Sequence, residues 1–162
     1  MQHLQQPSVV HTADATVPQV PIREATSDDL DDICALIDEL AAYERLEQEV
    51  VYERDAMATH LFGADPAVRA LLAVNEDDNV VGMALWFRTF STFLGRPGIW
   101  LEDLFVRPQH RKKGYGLALL RGLREMTDGR VEWAVLDWNS PSIDFYQRLG
   151  ARPVDGWTRY RW

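Results

Sequence analysis

The length, composition and charge of the chain exclude several classes of protein. Its 162 residues suffice for one domain with a sizeable core and leave little room for a second. The formal net charge of -8 opposes binding to nucleic acid and to anionic lipid, because both are negatively charged. The apolar and charged shares, 46% and 26%, are typical of a globular protein rather than a disordered one.

Residues 1–19 are predicted to be a disordered leader, and residues 20–162 to form one domain. The leader mixes polar residues and prolines without periodicity, and it has neither Lys or Arg nor an apolar run of signal-peptide length. No run in the chain reaches the roughly 18 apolar residues of a membrane span. Cys34 is the only cysteine and the four histidines are dispersed, so we expect a cytoplasmic protein without a metal site.

The first half of the chain predicts two helices among three strands. Thr26 and Asp29 have the spacing of a capping box, and the apolar residues that follow, including Cys34, recur with the 3.6-residue period of a helix. Cys34 is therefore expected to pack in the core rather than to act as a catalytic thiol. The predicted elements are a strand over Val20 to Arg23, a helix beginning near Thr26, a helix over Glu53 to Leu61, and strands over Val68 to Val74 and Val80 to Phe90.

The second half alternates strands with helices, which indicates an α/β or α+β domain with a mixed sheet. Glycines and a proline mark Ser91 to Gly98 as a loop. The elements expected after this loop are a strand over Ile99 to Val106, a helix from Leu117 to Asp128, a strand over Val131 to Leu136, a helix from Asn139 to Gly150, and a last strand reaching Trp162.

A basic, glycine-rich loop, Arg111-Lys112-Lys113-Gly114-Tyr115-Gly116, follows one strand and opens the next helix. Its backbone N–H groups and the positive end of the helix can hold a diphosphate. A dinucleotide-binding motif would need a third glycine where Leu119 stands, and a Walker loop would need a Gly-Lys-Ser/Thr run. On its own, the loop is equally compatible with a basic surface turn.

Motifs on both sides of the loop, in a fixed order, are more specific than the loop alone. They are Leu101-Glu102-Asp103-Leu104-Phe105-Val106, then Arg111-x-x-Gly114-x-Gly116, then Asn139 with Pro141, Phe145 and Tyr146. In this order they resemble the GCN5-related N-acetyltransferases (GNAT superfamily). Within that superfamily the chain is most similar to the diamine and thialysine N-acetyltransferases, on the stretches Glu39 to Glu44, Leu101 to Asp103, Ala134 to Asn139 and Asp155 to Trp157.

The resemblance implies a mixed, mostly antiparallel sheet of six to seven strands with about four helices, in a homodimer. It implies direct transfer of an acetyl group from acetyl-CoA to a primary amine of a small molecule, with Tyr146 as general acid and Glu102 as base. The implied cofactor-binding residues are Leu104, Phe105, Val106, Arg111, Lys112, Lys113, Gly114, Tyr115, Gly116, Asn139 and Ser142. The implied substrate-binding residues are Ser91, Asp103, Asp155 and Trp157.

The chemistry of amide formation fits these two residue types. An alkylammonium with a pKa of about 10.4 must lose a proton before it attacks, which a carboxylate can accept directly or through water. A phenol can protonate the departing thiolate. Each side chain also has a structural alternative: Glu102 as a solvent-exposed strand residue, and Tyr146 as a packed aromatic on a stripe with Ile143 and Leu149.

The identity of the amine has two alternatives. The diamine enzymes carry a carboxylate where this chain has Ser91, whereas thialysine-type enzymes carry serine, so an amino-acid amine is at least as well supported as a polyamine. Two other functions stay open at this point. One is acetylation of protein N-termini or lysines, and the other is a catalytically idle protein that senses acyl-CoA.

Overall fold

A computed structural model of the chain describes residues 20–162, which form five strands and four α-helices. The predicted leader lies outside the described residues. The strands are β1 Ile22–Glu24, β2 Arg69–Val74, β3 Val80–Ser91, β4 Arg96–Val106 and β5 Val131–Trp133. The helices are α1 Leu30–Glu44, α2 Arg54–Phe62, α3 Tyr115–Glu125 and α4 Ser140–Arg148.

The five strands form one mixed sheet in the order β1-β2-β3-β4-β5. The first four pair antiparallel, and β5 pairs parallel to β4 through the crossover helix α3. Helices α1 and α2 cover one face with a core built around Ile33, Leu36 and Leu72. Helix α3 covers the other face through Leu119 and Leu123. The predicted mixed α/β architecture is confirmed, and no helix in residues 20–162 is long and apolar enough to cross a bilayer.

The start of α1 is fixed by a buried carboxylate. Asp29 is 6% exposed and accepts hydrogen bonds from the Thr26 backbone N–H at 2.7 Å and from both terminal nitrogens of Arg23 at 2.8 and 2.7 Å. The Arg23 hydrogen bonds lower the pKa of Asp29 to about 2, ahead of the smaller Thr26 contributions and against the effect of burial. Cys34 packs against the core, as predicted.

Two sequence expectations about the strands are wrong. The sheet has five strands rather than six to seven, because residues 151–162 form no strand. Gly150 and Gly156 both have positive φ, 85° and 83°, which interrupts an extended course through this segment. The predicted loop from Ser91 to Gly98 is also too long, since Ser91 pairs with Arg96 and only four residues turn the β3–β4 hairpin.

Candidate active site

Strands β4 and β5, at one edge of the sheet, diverge midway along β4. They pair only at Ile99 with Val131, Trp100 with Glu132 and Leu101 with Trp133, after which β4 continues alone to Val106. Beyond Leu101, no strand of the described chain pairs with β4 on its β5 side. Backbone N–H and C=O groups without a strand partner bind extended ligands well. This split contains the predicted cofactor-binding residues Leu104, Phe105 and Val106, and because the Phe105 side chain is buried, only its backbone can contribute.

Glu102 lies at the start of the split. On the β3 side Leu85 pairs with Asp103 and Trp86 with Leu101, so Glu102 is the extra residue of a β-bulge. Its side chain is exposed, and Oε2 accepts a hydrogen bond from Nε1 of Trp100 at 2.8 Å. The bulge thus leaves an exposed carboxylate at the start of the split.

Asp103 and Glu44 surround this position with further negative charge. Burial, and then the negative charges of Glu102 and Glu44, together raise the pKa of Asp103 to about 6. Burial also raises the pKa of Glu44, the last residue of α1. Sequence reasoning missed Glu44 as a site residue, although it ends one of the stretches that carry the family resemblance. The three carboxylates form an edge suited to an ammonium group.

Tyr146 is placed by aromatic packing on the other side of the split. Its ring centroid lies 4.9 Å from that of Trp133 and 5.4 Å from that of Phe145. Burial, and then the charge of Glu44, raise the pKa of the Tyr146 phenol to about 12. The hydroxyl therefore keeps its proton at any pH near neutrality. Tyr146 also lines a cleft of about 440 Å³ between α3, β5 and α4.

The predicted diphosphate loop leads into α3. Lys112 has φ 62°, and Gly114, the residue before the helix, has φ 92°, a left-handed conformation that glycine adopts without strain. The N–H groups of the first helical turn have no acceptor within the helix and carry the positive end of its dipole. Lys112 and Lys113 are exposed beside them. This end of α3 can hold an anion through its backbone and two lysines.

Arg111 points away from that anion position. Its Nε donates to the Val106 carbonyl at 2.9 Å, and its guanidinium lies 4.7 Å from the ring centroid of Tyr43. The side chain therefore ties the loop to β4 and α1. Of the three basic side chains of the loop, only Lys112 and Lys113 extend into solvent.

Asn139 connects α4 to Tyr43. It is 5% exposed, and its Oδ1 accepts hydrogen bonds from the Ser142 N–H at 3.3 Å and from the Tyr43 hydroxyl at 3.2 Å. It therefore caps α4 and ties this helix, which carries Tyr146, to the end of α1. The predicted cofactor contacts of Asn139 and Ser142 remain predictions.

Ser91, a predicted substrate-binding residue, lies far from Asp103 within one chain. Ser91 lies at the hairpin turn, where its Oγ accepts from the Leu94 N–H, roughly 23 Å along the sheet from Asp103 at ~3.3 Å per residue. Asp155 and Trp157 lie in the C-terminal segment, and Trp157 is 80% exposed. That segment approaches the site through Arg159, which lies over the Trp100 ring.

Comparison with known proteins decides what this arrangement is. Residues 31–151 match the model of the acetyltransferase (GNAT) family. The chain belongs to this family. It is 34% identical over 156 residues to thialysine N-epsilon-acetyltransferase of Sus scrofa, covering 88% of this chain and 91% of that protein. It is 38% identical over 98 residues to L-ornithine N5-acetyltransferase NATA1 of Arabidopsis thaliana, covering 57% of this chain and 43% of that protein.

Solved structures agree on the fold of this GNAT protein. An integron cassette protein from the V. cholerae mobile metagenome has a TM-score of 0.72 at 25% identity, covering 89% of this chain and 92% of that one. An aminoglycoside acetyltransferase from an uncultured soil sample has a TM-score of 0.73 at 14% identity, covering 88% and 95%. The latter supports the fold alone.

Family membership confirms the prediction of an N-acetyltransferase that uses acetyl-CoA. The structure fits this donor in two places. The unpaired backbone of β4 suits the amide groups of the pantetheine arm, and the end of α3 with Lys112 and Lys113 suits the diphosphate.

Proposed function

We propose that the acetyl acceptor is the side-chain amine of a small amino acid, of the thialysine or ornithine type. The carboxylates of Glu102, Asp103 and Glu44 suit its ammonium group. Near them the C-terminal segment places the guanidinium of Arg159 4.9 Å from the ring centroid of Trp100. An amino acid has a carboxylate for this cation, whereas a polyamine has none. Arg159 is the observation that carries the proposal.

In the proposed reaction, Glu102 and Tyr146 move protons on opposite sides of the split. Acetyl-CoA supplies the activated acetyl group when bound. Glu102, directly or through one water, accepts the proton that the amine must lose as its nitrogen forms the bond to the acetyl carbon. Tyr146 donates the proton that the sulfur takes up as the carbon–sulfur bond breaks. The nitrogen loses a second proton as the amide forms, and this proton returns through water to the Tyr146 phenolate. The products are an amide, a free thiol and one proton, which Glu102 releases to solvent, so the atoms and charges balance.

The substrate class is tested by thiol release from acetyl-CoA with thialysine, ornithine, lysine, spermidine and an amino-terminal peptide. We expect the highest kcat/KM for thialysine or ornithine. Arg159→Gln should lower kcat/KM about tenfold for these amino acids, as expected for the loss of one charge-assisted contact, and leave spermidine unchanged. A preference for spermidine or for the peptide, or an equal loss on every amine, would contradict the amino-acid assignment.

We also propose that the enzyme is a cytoplasmic homodimer. The exposed large apolar side chains include Phe93 and Leu94 at the hairpin turn and Trp157 and Trp162 in the C-terminal segment. Exposed apolar patches of this kind mark protein interfaces. The hairpin turn also carries Ser91, which lies far from Asp103 within one chain, so a second copy could supply this residue.

Light scattering during size-exclusion chromatography measures the assembly directly. We expect a mass of about twice 18.6 kDa for the purified chain. Phe93→Ser, which removes a 90% exposed apolar ring at little cost to the fold, should shift this mass toward the monomer. A wild-type protein that stays monomeric at micromolar concentration would rule the dimer out.

A further inference from the structure

We propose that Trp100 is a positioning residue, which holds the carboxylate of Glu102 where it can accept the proton of the amine. The proposal rests on the proposed role of Glu102 as the base. The indole Nε1 of Trp100 donates to Glu102 Oε2 at 2.8 Å. This is a short bond to a charged acceptor, the class that fixes geometry best. Its effect on proton transfer is exerted through Glu102, while its ring also holds the Arg159 guanidinium.

Glu102 needs such a contact because the sheet does not orient it. As the extra residue of the bulge it has no partner on β3, and β5 ends opposite Leu101, one residue before it. Its side chain is exposed, and it forms no ion pair with any residue in 20–162. A glutamate in this position has three side-chain torsions free to rotate, which disperses the carboxylate over many positions. The indole bond selects one of them.

Trp100 itself is well placed to provide this restraint. Its backbone pairs with Phe87 on β3 and with Glu132 on β5, so the strand is held on both sides two residues before the bulge. Residues two apart on a strand project to the same face. The planar indole has only two side-chain torsions, and the Arg159 guanidinium lies over its ring. A rigid donor therefore adjoins a flexible acceptor.

Trp100→Phe removes the N–H and keeps an aromatic ring on the strand. We expect kcat to fall about five- to tenfold, with the KM for acetyl-CoA unchanged, because only the placement of the proton acceptor is lost. Wild-type kcat in Trp100→Phe would overturn the proposal.

Trp100→His provides the matched rescue. The Nε2 of an imidazole occupies the same place in its five-membered ring as the indole nitrogen, so its neutral Nε2–H tautomer can donate to Glu102 at pH 8. We expect it to restore at least half of the kcat lost in Trp100→Phe. An equal kcat in Trp100→His and Trp100→Phe would show that ring size, and not the N–H, matters.

A double-mutant cycle with Glu102→Gln separates this proposal from the assignment of the base. If Trp100 acts through Glu102, Trp100→Phe with Glu102→Gln should be no slower than Glu102→Gln alone. Full additivity of the two losses would overturn the positioning role while leaving the base intact. Wild-type turnover of Glu102→Gln would instead remove Glu102 as the base.

Nuclear magnetic resonance supplies a readout that does not depend on activity. The indole N–H resonance of Trp100 is the one that disappears in Trp100→Phe. In Glu102→Gln this resonance should move, whereas those of the other five indoles stay in place, since the charged acceptor is replaced by a neutral one. An unmoved Trp100 resonance would show that the hydrogen bond is absent in solution.

Discussion

Tyr146→Phe is expected to lower kcat by about 100-fold while the affinity for acetyl-CoA stays nearly unchanged, because general acid catalysis typically contributes 10²–10⁴-fold. The phenol is protonated throughout the neutral range, since burial and the charge of Glu44 raise its pKa to about 12. A phenylalanine ring can keep the packing against Trp133 and Phe145. Only the proton donor is therefore lost.

Single-turnover acetyl transfer measures the chemical step, and calorimetry measures the affinity for acetyl-CoA. Tyr160→Phe is the control, since Tyr160 is 91% exposed and the substitution removes the same hydroxyl. An acetyl donor with a more acidic leaving thiol should narrow the deficit of Tyr146→Phe, because such a thiolate departs without a proton. Unaltered turnover, or an equal deficit with every donor, would remove Tyr146 from the proton transfer.

The local features of the site follow from the sequence because they depend on residues close together in the chain. Gly114 and the helix after it are predicted from the glycine spacing and the apolar periodicity, and the structure forms both. Asp29 has the predicted capping-box role for the same reason. The capping position of Asn139 before Ser140 and Pro141 is equally local. Each of these depends on fewer than ten consecutive residues.

Features that depend on packing between distant segments were not predictable. Glu44 reaches Asp103 and Tyr146 only because α1 crosses the sheet at the split. The inward course of Arg111 depends on Tyr43, which sequence spacing cannot place beside it. The bulge at Glu102 likewise arises from the register of β3 against β4. In each case the determining contact joins residues of different elements.

The missing last strand has a related cause. The pattern near Trp157 favours an extended segment, but a strand needs an edge to pair with. β5 offers only three residues, and the segment leaves Val154, Trp157 and Tyr160 exposed. Local propensity therefore identified a segment able to form a strand but not whether a partner edge is available within one chain.

Asp103→Asn is expected to stabilise the folded protein at pH 7.5 and to weaken binding of the amine substrate. Burial, with the charges of Glu102 and Glu44, raises the pKa of Asp103 to about 6 from an ordinary value of 3.8. Between these values the folded chain holds a proton that the unfolded chain has released, so stability falls as pH rises through this window. Above about pH 6 the full cost of the buried charge is present, and asparagine removes it.

We therefore expect Asp103→Asn to raise the free energy of unfolding by roughly 1–2 kcal/mol at pH 7.5, and by little at pH 4, as urea titrations would measure. The KM for the amine should rise by about 30-fold, since an ammonium loses a half-buried carboxylate partner. Asp128→Asn, in the exposed turn after α3, controls for the loss of one negative charge. A variant that is less stable at pH 7.5 would show that the Asp103 carboxylate does not cost folding energy there. Normal amine binding would show that Asp103 is not part of the amine site. If the variant is both more stable and weaker in amine binding, the Asp103 carboxylate costs folding energy and contributes to recognition of the substrate cation.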